Sequence, residues 1–293
     1  MKPFLFACAL AMGCAADPPS AAEFRAALPP AYALEIGVPG AGGATRASSG
    51  GVGVHSSALI GQIAEFYALT RIASAQLNGQ VGSVAGTISS IAQSPPSAVG
   101  PDQAMWGPFT PTLSPVNYRL VVARVAPGDY AFHLDGRPKL SADEAAFQPL
   151  VQGASTPAPD RNAGSFQLDL QAAHALDPVA VPRGGAAQAS FAMTPAGGSV
   201  RFQVAPEGIP PADYRYDQAA NGAGDFRFAT PDAIVRSRWT PGGAGRADAN
   251  VTGGMASECW NDAFARVFYR APDGASEGDP AACVYPDPLP PDL

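Results

Sequence analysis

Two periods of apolar residues dominate the chain, a helical one followed by an alternating one. Between about Ser56 and Ala92, the residues Leu59, Ile63, Phe66, Thr70, Ala73, Leu77, Val81, Val84, Ile88 and Ile91 recur at steps of three and four. That spacing sets them on one face of a helix. An extra four-residue step beside Gly79 and Gly82 interrupts the heptad pattern, and a straight helix over residues 55–93 would run about 55 Å. A kink, or two helices meeting near Asn78-Gly79, is therefore expected. Pro95-Pro96 stops the element. The stripe either packs on the chain's own sheet or forms a seam for a partner; its Ala and Thr positions favour the first.

After Trp106-Gly107-Pro108 the period changes to two. Tyr118–Val125 predicts a strand and Ala126-Pro127-Gly128-Asp129 a turn. Tyr130, Phe132 and Leu134 then alternate with Ala131 and His133, and Asp135-Gly136 reads as a turn pair. Phe147–Gln152, the alternation around Phe166 and Leu168, Ala187–Met193, and Val200, Phe202 and Val204 against Arg201 and Gln203 extend the series. Tyr214–Tyr216, Asp225–Ala229, Val235–Trp239, Arg246–Thr252 and Phe264–Arg270 are shorter candidates, and Gln171–Leu176 suits one or two helical turns.

Consecutive hairpins argue an antiparallel sheet, and polar-out, apolar-in alternation argues one wet face. Roughly nine or ten strands should curl into a half-barrel, split into a sandwich or close into a barrel. The expected fold is α+β: a large curved antiparallel sheet with a long N-terminal helix packed on it. A single domain over 55–293 is expected, with the helix at 55–93 and the β body at 105–285. Residues 17–54 read as a tether with short elements. They include a short helix around Glu23-Phe24-Arg25, a strand at Tyr32–Val38 and a Gly/Ser/Ala-rich stretch at Pro39–Gly53.

Composition narrows the classes. Apolar residues make up 46% of the 293, enough for a core, while charged residues are only 15%. The 32 Gly and 31 Pro suit many turns and short strands better than a helical bundle. Net charge is −7, and the 18 basic residues are scattered, all of them Arg except Lys2 and Lys139. A nucleic-acid partner is not expected, and the acidic balance suits a soluble monomer.

The first residues read as an export signal. One positive charge at Lys2 precedes an apolar run, Pro3–Gly13, too short for a membrane-spanning helix. Leu10-Ala11-Met12-Gly13-Cys14 resembles a bacterial lipobox, with Ala11 where Leu is usual. That resemblance implies that Cys14 is acylated as the first mature residue and holds the protein to a membrane through its acyl chains. Ala15, in place of Asp, implies the outer membrane. Ordinary cleavage after Ala16, giving a soluble periplasmic or secreted chain, is the competing outcome. Once the signal has gone, Cys259 and Cys283 are the remaining pair. In an oxidising compartment they read as a disulfide, with two buried free thiols as the alternative.

Chemical signatures are sparse. His55, His133 and His174 stand at no metal-ligand spacing to one another, and no nucleophile elbow is present. Gly40–Thr45 lacks the lysine of a phosphate-binding loop. Asp248-Ala249-Asn250 begins like a calcium loop, but Cys259 stands where the closing Glu belongs. No catalytic residue, metal site or cofactor is assigned. The aromatics Trp106, Tyr118, Tyr130, Phe132, Phe166, Phe202, Tyr214, Tyr216, Phe226, Phe228 and Trp239 form either ordinary core or a trough for an apolar ligand.

Glu258-Cys259-Trp260-Asn261, Phe264, Val267-Phe268-Tyr269 and Glu277-Gly278-Asp279-Pro280-Ala281-Ala282-Cys283 resemble the C-terminal segment of uncharacterised predicted bacterial lipoproteins. This resemblance implies a location and a disulfide, and no activity. The expectation is a non-catalytic envelope lipoprotein binding an apolar ligand or a protein partner. Alternatives are a structural protein using the helix seam, or an enzyme whose site no motif reveals.

Overall fold

The computed structural model describes residues 20–40, 59–251 and 253–288. Three α-helices are present among them: α1 (Ala21–Ala26), α2 (Glu65–Gln93) and α3 (Leu170–Leu176). The strands are β1 (Ala98–Val99), β2 (Gln103–Phe109), β3 (Val116–Ala126), β4 (Asp129–Pro138), β5 (Gln148–Ala158), β6 (Arg161–Asp169), β7 (Gly185–Thr194), β8 (Gly197–Pro206), β9 (Ala212–Ala219), β10 (Gly224–Ala229), β11 (Ile234–Trp239), β12 (Gly245–Val251), β13 (Gly254–Trp260), β14 (Arg266–Arg270) and β15 (Ser276–Gly278). All belong to one 15-stranded open sheet in which each strand pairs, antiparallel, with its neighbours in sequence. Among the described residues the strands form neither a two-sheet sandwich nor a hydrogen-bonded barrel. Both edge strands are very short, which limits the unpaired backbone offered to other chains.

One face of the sheet carries the core. Phe132, Phe166, Phe202, Tyr216, Phe226 and Trp239 are buried on it. Gly153 allows this packing, since a Cβ there would meet the Phe132 ring at 2.4 Å. α2 crosses this face. Its N-terminal half lies against β11, β12 and β13, and it also packs on β2 and β3 at the far side of the sheet. The space between is filled by residues 20–40. α1 packs on β2 and β3, and the 3-10 turn Ala31–Leu34 packs on β7, β8 and α2.

Residues 20–40 are therefore part of the core and not a tether: Phe24, Leu34, Ile36 and Val38 are buried. The stretch expected as a strand over 32–38 begins as that 3-10 turn. Glu23 pins α1 by accepting hydrogen bonds from Tyr130 Oη (2.5 Å) and from Arg124. These two contacts hold the Glu23 carboxyl below its ordinary value, the tyrosine bond contributing most. The Gly/Ser/Ala-rich residues 41–53 and the start of the expected helix, 55–58, lie outside the described residues.

α2 begins at Glu65 and runs unbroken through Asn78 and Gly79. A single helix spans the point where a meeting of two was one expectation, and there Asn78 clamps Ile36: its Oδ1 accepts from Ile36 N (2.9 Å) and its Nδ2 donates to Ile36 O (3.0 Å). Leu59 and Ile63, placed on the expected stripe, precede the helix and are exposed, while Phe66, Thr70, Leu77, Ile88 and Ile91 are buried. Both helix ends borrow partners from elsewhere in the chain. Ala64 cannot cap the N-terminus, so the Glu258 carboxylate of β13 accepts from Glu65 N (3.0 Å) and Phe66 N. At the other end Arg25 donates to Ala92 O (2.5 Å) and Ser94 O (3.1 Å), and Trp106 Nε1 to Ser94 O (3.1 Å).

Candidate functional site

The uncovered face of the sheet carries a groove of about 880 Å³ across β5 to β10. Its floor is a row of polar side chains set by strand register. Gln152 pairs with Gln167, Gln167 with Gln188, Gln188 with Gln203, and Gln203 with Asp213. His133 extends the row on β4, opposite Gln152. The tight turn Pro195-Ala196 joins β7 to β8, a longer connection carrying α3 joins β6 to β7, and the register runs without a shift from β5 to β9. Neighbouring amides are thus separated by the inter-strand spacing, about 4.8 Å. All four glutamines are exposed, and Gln203 Nε2 donates to Asp213 Oδ2 at 3.2 Å. Leu150, Asp169, Ala186, Ala205 and Pro211 form one wall of the groove. Each amide carries both donors and an acceptor, so the floor can bind hydroxyls in either sense.

A second row runs beside the first, two residues further along each strand. Arg201 pairs with Arg215, Arg215 with Arg227, and Arg227 with Arg236. Arg227 donates to Asp213 (3.2 Å), and Arg236 grips Asp225 with Nε and Nη2 (2.9 and 2.6 Å). Beyond Arg236 the row meets Asp248, which is buried.

Cys259 and Cys283 form the disulfide, with 5.4 Å between their Cα atoms. The bond holds the C-terminal segment over the outer face of β11–β13. There Arg246 donates to Tyr285 O (3.2 Å) and Pro286 O (2.9 Å), and the Arg238 guanidinium lies 4.7 Å from the Tyr285 ring centroid. Burial pulls the Arg238 pKa down against the nearby Asp248. Asp248, the first residue of the calcium-like stretch, is paired with Arg246 (2.9 Å) and accepts from Ser257 (2.7 Å). Its oxygens are therefore committed to protein partners. His133 Nε2 lies 3.6 Å from Asp135, and His174 Nδ1 lies 2.7 Å from Val181 O. Asp135-Gly136 is no turn; it sits inside β4, where Asp135 binds Arg119 at 2.8 Å. Among the described residues no group of three or more His, Cys, Asp or Glu side chains could hold a metal ion. No described helix is long and apolar enough to cross a membrane. Cys14 and His55 lie outside the described residues.

Alternation along a single strand marks Arg201 and Gln203 only as polar positions between apolar ones. Lining up β5 with β6 and β7 with β8 on their tight turns sets Gln152 beside Gln167 and Gln188 beside Gln203, but the connection through α3 leaves the register of β6 on β7 open. The chain matches no protein-family model, no curated protein and no solved structure.

Proposed function

We propose that this chain is a non-catalytic, lipid-anchored protein of the bacterial envelope that binds an extended polar polymer, a polysaccharide strand, along the glutamine row. The observation that carries this reading is the placement of four glutamines on four adjacent strands, in direct register, on the floor of an open groove. A regular series of uncharged groups that both donate and accept suits a ligand with repeating hydroxyls. An apolar ligand loses its expected trough, because residues 24–38 and α2 occupy the aromatic face. The helix-seam alternative loses its seam, because Phe66, Leu77, Ile88 and Ile91 are turned into the body.

The lipobox-like segment ending at Cys14 and the C-terminal resemblance support the location, with the anchor in the outer membrane. Cys14→Ala should release the protein into the soluble periplasmic fraction, and continued fractionation with membranes would count against the anchor. For binding, the test is co-sedimentation with the insoluble polysaccharide fraction of an envelope preparation. The Gln167→Ala/Gln188→Ala variant should lose about tenfold or more in apparent affinity, as expected for two or more deleted hydrogen bonds. Retention equal to wild type would overturn the reading.

A further inference from the structure

Three like-charged pairs stand directly opposite one another along the arginine row. Like charges at such positions destabilise a sheet, and the chain has few charges of either sign to place. The row is only partly neutralised from within. Asp213, Asp217 and Asp225 lie among four guanidiniums: Arg227 is bound to Asp213 and Arg236 to Asp225, and Asp217 stands opposite Asp225. Arg215 reaches the shared Asp213 at 3.4 Å and is 46% exposed. Arg201 is exposed and makes no hydrogen bond or ion pair within the described residues. The side of the row facing β7 continues as the hydroxyls of Ser190 and Ser165. Four guanidiniums among three carboxylates leave a local excess of one positive charge, carried at the Arg201–Arg215 end, on a chain whose net charge is −7.

We infer that the ligand is an anionic glycan, whose carboxylate, sulfate or phosphate substituents are taken by Arg201 and Arg215 while its hydroxyls lie on the glutamines. This rests on the polysaccharide reading above. Arg201 and Gln203 are two residues apart on β8, about 7 Å, so one strand of sugar in the groove keeps its substituents within reach of the guanidiniums. The planar fork of arginine suits the paired oxygens of such groups. Arg227 and Arg236, held by their aspartates, set the local field and leave the two freer arginines to the ligand.

The test uses polygalacturonate and its fully methyl-esterified form, which share a backbone and differ in charge. Wild-type protein should bind the acid form about tenfold or more tightly than the ester, one charge-assisted contact being worth at least that. The preference should shrink as ionic strength rises. Arg201→Gln/Arg215→Gln should bring the acid form down to the affinity of the ester and leave ester binding unchanged. Its melting temperature should be equal to or above wild type, since like charges have been removed; this separates lost binding from lost folding. Gln167→Ala/Gln188→Ala should weaken binding of both polymers. Equal wild-type affinity for acid and ester would overturn the anionic inference and leave the polysaccharide reading standing. Binding of neither form would count against both. Repeating the comparison with dextran sulfate against dextran, and with a phosphorylated dextran, tells which anion is preferred.

Discussion

The two faces of the sheet solve opposite problems with the same strands. The inner face is closed by the chain itself, which lays α1, the turn at Ala31–Leu34 and α2 over the aromatics and carries the ends of α2 on side chains from α1 and from distant strands. Among the described residues the outer face keeps its polar rows open over β5–β10 and is covered at β11–β13, where the disulfide-held C-terminal segment lies on Arg246 and Arg238. Charge shows the contrast best. Glu258 and Arg266 on the inner face are fully buried and 2.5 Å apart, while Arg201 on the outer face is exposed and makes no ion pair among the described residues. A buried charge without its partner is costly; an exposed one is available.

Substitutions should therefore weaken the fold through the inner face and the covered corner, and weaken binding through the open rows. The largest expected effect is at Glu258. Burial pushes its carboxyl up, opposed by Arg266 and by the helix N–H groups. Glu258→Ala would take from buried Arg266 its nearest carboxylate and strip the α2 N-terminus of its cap. Chemical denaturation should show a loss of about 3–5 kcal/mol. Next comes Cys283→Ser, which opens a loop of 24 residues' separation; the chain-entropy account gives about 3.5 kcal/mol. That loss should appear equally in wild type under reductant.

A smaller effect is expected at high pH. Burial pushes Tyr216, which donates to Gly37 O at 3.1 Å, up to about 12 from an ordinary 10. The folded chain keeps this proton where the unfolded chain has released it. The contribution to stability is thus complete below the ordinary value and is lost as pH rises through about 12. Tyr67, Tyr118 and Tyr214 are raised by burial in the same sense. Melting temperatures followed across this range should fall, and Tyr216→Phe should flatten the fall. Smallest of all, Gln167→Ala/Gln188→Ala should change stability by no more than about 0.5 kcal/mol per site. A large loss there would mean that the open row supports the fold, and the contrast between the faces would fail.

Much of this sheet was legible along the chain because most hairpins obey a local rule. Tyr118–Val125 and the turn at Ala126–Asp129 lie where alternation and Pro-Gly place them, and α3 falls on Gln171–Leu176 apart from one residue. β2 was hidden by Gly107-Pro108 within it, and β13 by Glu258, a charge on the inward side of an otherwise apolar alternation. Residues 20–40 were misread because what buries them is tertiary: Ile36 is held by Asn78, far along the chain. The rows of the site were illegible for a related reason. Each glutamine looks like any wet-face residue until five strands are aligned, and alignment depends on register that one-strand periodicity does not contain.

The docking of α1 limits how the body could sit on a bilayer. If Cys14 bears acyl chains, only residues 15–19 separate it from Ser20, where the fastened segment begins. Fully drawn out, so short a leash reaches about 20 Å. The body would then ride close to the headgroups with the β3–β4 hairpin nearest them, since Arg124 and Tyr130 flank that hairpin and hold Glu23. The groove wall formed by Asp169, Ala186, Ala205 and Pro211 belongs to the opposite end of the strands. A polymer would be met at the outboard tip, on the side turned away from the lipid.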